Sequence, residues 1–185
     1  MCNDENFIPG GLQIGRLSPD GKLALVSSSL KARAEELGGI KGLASGPDDS
    51  LYAVTPGVVL KVKLDGTFTL VKQPGAAPDC DRYLPPNTPP AYEPFLTGIA
   101  VSPRGVIYLA ATGCRCVLKL EPDGGTTTVL KAEAPWSPTG LALQGGDLYV
   151  AEWTNAHSEQ HDFRPRVRKV ASDGKVTTVG TWSER

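Results

Sequence analysis

The sequence lacks the features that mark several common classes of protein. No apolar run approaches the roughly 18 residues that a membrane-spanning helix needs, so no membrane span is expected. Lys and Arg number 19 against 20 Asp and Glu, and this balance argues against nucleic acid as the main partner. Four cysteines are too few for a disulfide scaffold in 185 residues.

The start of the chain also lacks a targeting pattern. MCNDENFIPGG has neither a charged n-region nor an apolar h-region, so no secretory signal peptide is expected in this chain. The compartment stays open. The chain as written fits the cytoplasm, and a missing N-terminal part would make it periplasmic or secreted.

Glycine and proline, in contrast, are abundant. The chain has 21 Gly and 16 Pro, with 40% hydrophobic and 21% charged residues. This composition is that of a globular protein and disfavours long helices. It favours many short strands joined by turns, within a single domain over 1–185.

Internal repetition is the strongest signal in the sequence. One unit reads KVKLDGTFTLV at 61–71, KLEPDGGTTTV at 119–129 and KVASDGKVTTV at 169–179. Asp-Gly between two alternating apolar segments predicts a β-hairpin, and we expect a tight primed turn in which positive φ is required. Each copy is therefore read as two antiparallel strands, c and d.

A second unit precedes each copy of the first. It reads GLASGPDDSLYAV at 42–54, GIAVSPRGVIYLA at 98–110 and GLALQGGDLYVA at 140–151. Each contains a short strand, a turn and a strand with one tyrosine, here named strands a and b. Four short antiparallel strands repeated at about 40–50 residues are typical of a β-propeller blade.

The predicted fold is thus an all-β propeller of four-stranded antiparallel blades, with about three and a half blades in this chain. A half blade is expected at 12–30, and full blades at 40–73, 96–131 and 138–182. A propeller needs at least four blades to close. The chain is therefore a piece of a longer propeller, is completed by self-association, or closes through an irregular strand at 7–15.

The repeats resemble the NHL-repeat and SMP-30/gluconolactonase-like superfamily of β-propellers, above all at 140–179. That superfamily includes lactonases, lyases and interaction platforms, so the resemblance implies the fold more specifically than the function. NHL-type blades commonly end the second strand in an acid with an Asn a few positions on, which Glu152 and Asn155 match. The equivalent positions in the two earlier blades, Thr55 and Ala111, depart from this pattern.

The resemblance also bears on metal binding. The metal-dependent lactonases place Glu, Asn and Asp ligands around a central channel, and no such set aligns here. We therefore expect no cofactor, with Ca²⁺ or another divalent cation as the one alternative, and the enzyme reading is disfavoured.

Two insertions, at 74–97 and 152–166, break the repeat. They lengthen a d–a and a b–c connection, which emerge on the same side of an up-and-down blade. Long loops gathered on one side of a rigid scaffold are typical of a binding site, although loops also lengthen by neutral drift. Ligand-binding candidates in the second insertion are Trp153, Asn155, His157 and Arg164, with Trp153 as an aromatic platform for a sugar, lactone or peptide.

The second insertion also holds both histidines of the chain. Glu152, Asn155, His157 and His161 are the candidate metal ligands, because imidazole and carboxylate ligate zinc. They fall in an irregular loop instead of on a helix that would align them. A solvated polar loop is therefore the preferred interpretation, and no metal is expected.

The cysteines leave two alternatives. Cys114 and Cys116 are too close in sequence to bond comfortably to each other. Cys80 is a better partner for either of them, Cys114 in particular, because both lie on the loop side. Free thiols are nevertheless the preferred interpretation, since no secretory context is visible.

These observations favour a β-propeller binding or interaction module. It would hold a small molecule, peptide or protein on the side that carries the long loops. One alternative is a divalent-metal-dependent lactonase or related hydrolase that uses the central channel. Another is a truncated propeller without independent activity.

Overall fold

The structure, a computed structural model, describes residues 14–27, 37–47, 49–74, 80, 84, 87–154 and 164–182. These residues form short strands and two single-turn 3-10 helices at Pro90–Tyr92 and Thr112–Cys114. The strands are β1 Ile14–Leu17, β2 Leu23–Ser27, β3 Gly42–Ser45, β4 Leu51–Val54, β5 Val59–Val62, β6 Phe68–Lys72, β7 Leu96–Val101, β8 Ile107–Ala111, β9 Cys116–Leu120, β10 Thr126–Lys131, β11 Trp136–Gln144, β12 Asp147–Thr154, β13 Pro165–Val170 and β14 Val176–Thr181.

The strands assemble into one two-stranded and three four-stranded antiparallel sheets. Strands β1 and β2 form the half blade, β3–β6 blade 1, β7–β10 blade 2 and β11–β14 blade 3. Within each sheet the strands pair in chain order. The first strands of the full blades, β3, β7 and β11, pack beside one another in succession, which makes them the inner strands. The all-β propeller prediction is therefore confirmed.

The hydrophobic core lies between successive blades. One cluster joins Tyr52, Val54 and Val59 of blade 1 to residues of blade 2 that include Leu109 and Leu118. A second cluster joins blade 2 to blade 3, and a third joins the half blade to blade 1. Blades 1 and 2 thus use one face for each of their two neighbours, because successive residues of a strand point to opposite faces. Among the described residues, no helix is long and apolar enough to cross a membrane.

The Asp-Gly hairpins differ from the predicted primed turns. The amide of Lys63 donates to the carbonyl of Thr67, and the amide of Gly66 donates to that of Lys63. This is a three-residue loop, in which only the glycine needs positive φ. The repeated glycines accordingly have left-handed φ values of 80°, 85°, 91° and 84° at Gly21, Gly66, Gly124 and Gly174.

The aspartate of the motif has a role of its own in the loop. The Asp65 carboxylate accepts a hydrogen bond from the amide of Thr67 at 2.8 Å, which holds the pKa of Asp65 below its usual value. Asp123 and Asp173 accept the equivalent bonds from Gly125 and Lys175. The motif is therefore repeated because aspartate closes the loop and glycine supplies its backbone conformation.

We expect Gly124→Val to destabilise the fold by at least about 1 kcal/mol, because a β-branched residue resists positive φ. Nothing lies within 4 Å of a Cβ built at Gly124, so the cost is conformational rather than steric. Thermal melts should show this loss while the affinity of the folded fraction for any ligand stays unchanged. An unchanged melting temperature would contradict the turn assignment.

Candidate functional site

The connections between strands divide between the two sides of the propeller. In sheets paired in chain order, every b–c and d–a connection emerges on one side, here called the loop side. The a–b turns and the Asp-Gly turns emerge on the other, the turn side. The connection between β6 and β7 and the connection between β12 and β13 therefore share the loop side.

The long d–a connection is fastened to the propeller at its C-terminal end. Pro94 and Phe95 accept hydrogen bonds from the amides of Gly113 and Thr112, both at 3.1 Å. A Cβ built on Gly57 would lie 1.8 Å from the carbonyl oxygen of Ala91. The described end of this loop thus lies directly on the b–c connections of blades 1 and 2, and glycine permits the close approach.

A disulfide joins the same loop to blade 2. Cys80 and Cys114 are bonded, with their Cα atoms 4.6 Å apart, and Cys114 is buried at the end of a 3-10 helix. The preferred interpretation of free thiols is therefore wrong for these two residues, and the less favoured pairing is the one present. Cys116 is buried and takes no part in this disulfide. The loop is therefore held at both a covalent and a hydrogen-bonded point.

We expect reduction of this disulfide, or the Cys80→Ser/Cys114→Ser double variant, to destabilise the chain by about 2–4 kcal/mol. The bond closes a sequence separation of 34 residues, which restricts the unfolded chain. Chemical denaturation with and without reductant measures the effect. Cys116→Ser gives a control for loss of a buried thiol, and equal midpoints with and without reductant in the parent chain would contradict the prediction.

A buried ion pair marks the base of the second insertion. Glu152 on β12 is fully buried, and its Oε2 accepts a hydrogen bond from Nε of Arg166 on β13. Nη1 of Arg168 lies 3.9 Å from Oε1 of Glu152. The guanidinium of Arg166 also stacks on the ring of Trp136, 4.1 Å from its centroid. Glu152 thus holds Arg166 in place, and Arg166 in turn stacks on Trp136, with a second guanidinium nearby.

The three blades use the same position of strand b differently. In blade 1, Thr55 accepts a hydrogen bond through its hydroxyl from the amide of Val58 and closes a short turn. In blade 2, Ala111 pairs with Cys116, beside the disulfide. In blade 3, Glu152 pairs with Arg166. Blades 1 and 2 lack the acid of the family pattern, and other contacts fix the b–c connection there.

The residues around Glu152 do not fit a divalent cation. Both carboxylate oxygens face guanidinium groups, so a cation would meet two positive charges at close range. Among the described residues, no group of three or more His, Cys, Asp or Glu side chains could hold a metal. The other candidate ligands, Asn155, His157 and His161, lie outside the described residues.

The structure separates the predicted ligand-binding residues. Trp153 lies in β12 and not in the loop, and its side chain is 44% exposed. Because Glu152 and Trp153 are consecutive, they point to opposite faces of blade 3. Arg164 pairs with Thr154 through the bond from Thr154 N to Arg164 O at 3.2 Å and closes the base of the insertion. Asn155 and His157 lie outside the described residues.

Sequence reasoning missed the pair formed by Trp136 and Arg166. The available signal was the alternation of side chains along the strands. Trp136 pairs with Thr154, two residues beyond Glu152, and Arg166 pairs with Glu152 itself. All these side chains therefore share one face. Trp153 does not belong to this group, because it is consecutive with Glu152 and strand alternation places it on the other face of blade 3.

The turn side carries a concavity of its own. A cleft of about 860 Å³ lies between blades 2 and 3, lined by residues that include Arg104, Tyr108, Lys119, Glu121 and Gln144. Glu121 hydrogen-bonds the Lys119 ammonium and raises the pKa of Lys119 above its ordinary value. This cleft offers charged groups to a ligand. A test that places the binding site on the loop side therefore needs controls in this cleft.

Comparison with solved structures places the fold among β-propeller proteins. Virginiamycin B lyase from Staphylococcus aureus has a TM-score of 0.61 at 17% identity, covering 95% of this chain and 50% of that one. A catalytically inactive variant of that lyase, solved with quinupristin, has a TM-score of 0.58 at 17% identity, covering 90% and 47%. A gluconolactonase-like protein has a TM-score of 0.52 at 14% identity, covering 75% and 47%.

The resemblance to the gluconolactonase-like propellers is therefore confirmed at the level of the fold. No protein-family model and no curated protein matches the sequence. The chain spans about half the length of the solved structures it resembles.

Proposed function

We propose that the chain is a β-propeller binding module that holds a small molecule or peptide on the loop side. The observation that supports this most is the fastening of that side. The disulfide between Cys80 and Cys114 ties down one long loop, and the buried ion pair of Glu152 with Arg166 fixes the strands that carry the other. Such constraint reduces the ordering cost of binding.

The chemistry of the loop side suits a ligand with planar and anionic groups. Arg166 presents a guanidinium already stacked on Trp136, and Arg164 adds an exposed cationic side chain at the base of the insertion. Guanidinium groups recognise carboxylates through paired hydrogen bonds, and indole rings accept the flat faces of sugars, lactones and peptide groups. His157 and Asn155 extend this proposal into the insertion.

The test is titration calorimetry with two probes, quinupristin and gluconolactone. We expect Arg164→Ala and His157→Ala to weaken binding at least about tenfold while changing unfolding free energy by less than about 0.5 kcal/mol. Arg104→Ala and Lys119→Ala, in the turn-side cleft, are the matched controls. Loss of binding in these two, with normal binding in the loop variants, would move the site to the turn side.

A second candidate function is that of a divalent-metal-dependent lyase or lactonase. Two of the similar structures are of a lyase, and Oε1 of Glu152 is buried without a hydrogen bond from the described residues. The two guanidiniums at Glu152 weigh against it, because they already neutralise the one buried carboxylate of this site. We therefore rank it below the binding module.

We expect calorimetric titration with Ca²⁺, Mn²⁺ or Zn²⁺ to be flat in the micromolar range. The reason is the positive charge beside Glu152, which repels a divalent cation. The paired variant is Glu152→Gln, in which the carboxylate is lost but the side-chain shape is kept. A stoichiometric isotherm in the parent chain that disappears in this variant would favour the enzyme over the binding module.

A further inference from the structure

Each full blade has two faces, and equivalent positions of the repeat lie on the same face in every blade. In blades 1 and 2 the following face packs on the next blade in sequence, and in all three full blades the preceding face packs on the unit before it. Val59 of blade 1 and Val117 of blade 2 occupy one position of the following face, and both are 0% exposed. Leu120 of blade 2 occupies the preceding face and is 4% exposed.

The following face of blade 3 carries the same residue types at the equivalent positions, but none of the described residues of another blade packs on it. Val167 takes the position of Val59 and Val117, since it pairs with Ala151 as Val117 pairs with Ala110. It is 38% exposed. Tyr149 occupies the repeated tyrosine position, and Trp153 adds an indole on the same face. This face is therefore built to pack on another blade.

The preceding face of the half blade is uncovered in the complementary way. Leu17 stands three residues before Asp20, as Leu120 does before Asp123, yet it is 69% exposed. Leu23 and Leu25 pair beside it and are also exposed. Leu17 and Leu23 thus form an apolar surface at positions that contact the preceding blade elsewhere in the chain, as Leu120 does at the position of Leu17 and Phe68 and Val176 do at that of Leu23.

We propose that a second copy of this chain docks head to tail. The following face of blade 3 in one copy packs on the preceding face of the half blade in the other. One chain exposes both halves of a contact that it buries internally at each blade junction. A two-fold axis along the propeller axis forms this contact twice and closes a ring. The ring covers both apolar faces, which isolated proteins rarely leave exposed.

Sedimentation velocity on the full chain tests the proposal. We expect the parent chain to sediment as a dimer, and Leu17→Arg and Val167→Arg each to sediment as monomers. Both positions are solvent-exposed in the single chain, so folding is retained, and Val167→Thr gives a milder change that should weaken the dimer without a new charge. Leu64→Arg is the matched control. Leu64 is 55% exposed in an Asp-Gly turn away from both faces, and its variant should stay dimeric.

Mixing the two arginine variants gives the sharpest readout. Each variant keeps one intact face, so a mixture of Leu17→Arg and Val167→Arg should recover dimer through one undamaged contact. A contact between two identical faces would instead leave one of the variants dimeric on its own. That result, or a monomeric parent chain, would overturn the head-to-tail proposal. A monomeric parent would indicate that another polypeptide or further blades cover these faces.

Discussion

Replacing Arg166 by leucine should destabilise the chain by about 3–5 kcal/mol, the usual cost of leaving one member of a buried ion pair alone. Glu152 has no exposed surface, so water cannot solvate the carboxylate once the guanidinium is removed. Arg168, with its nitrogen 3.9 Å away, is too distant to replace the lost hydrogen bond. The variant also loses the stacking on Trp136. Urea denaturation of the parent and variant measures the difference.

Three further variants define what Arg166 contributes. Arg166→Lys should recover only part of the loss, because an ammonium neither reproduces the Nε hydrogen bond nor stacks as a plane on Trp136. The Glu152→Leu/Arg166→Leu double variant should recover most of it, since no unpaired charge stays buried. Arg104→Leu is the exposed control and should change stability by less than about 0.5 kcal/mol. If Arg166→Leu were as stable as this control, the pair would not stabilise the fold.

The fold could be predicted because its determinants are local and repeated. The Asp-Gly loops and the tyrosine-bearing strands are each encoded within a few residues, and copies at similar spacing reinforce one another. The turn type was harder to predict, because an Asp-Gly sequence occurs in both two-residue and three-residue hairpin loops. The number of residues between paired strand ends, such as Val62 and Phe68, decides between them.

The candidate site was harder to predict because it depends on pairing between strands that are distant in sequence. Trp136 and Arg166 meet only because β11, β12 and β13 align in one register. Trp153 was chosen because it stands at the start of the second insertion, whereas strand alternation determines which side chains meet. The Cys80–Cys114 pair could be named from the sequence because both residues belong to connections on the same side of the blades. It was not preferred over free thiols, because no secretory context is visible in the sequence.

Substitution of Gly98 by alanine should destabilise the chain by about 3 kcal/mol, because the inner strands of blades 2 and 3 approach too closely for a side chain. A Cβ built on Gly98 would lie 2.5 Å from the carbonyl oxygen of Thr139 and 3.2 Å from Cα of Gly140. These are backbone atoms, so relief requires a shift of β7 against β11. Forcing additional atoms into a packed interior costs about 1–3 kcal/mol or somewhat more.

Gly140→Ala provides the matched control at the equivalent position of the next blade. A Cβ there would meet only the Cβ of Ala151, at an ordinary contact distance of 3.5 Å. We expect this variant to stay within about 0.5 kcal/mol of the parent chain. Thermal and urea denaturation at low protein concentration compare the two. Equal effects at Gly98 and Gly140 would show that the glycines serve strand conformation, and not the spacing between blades.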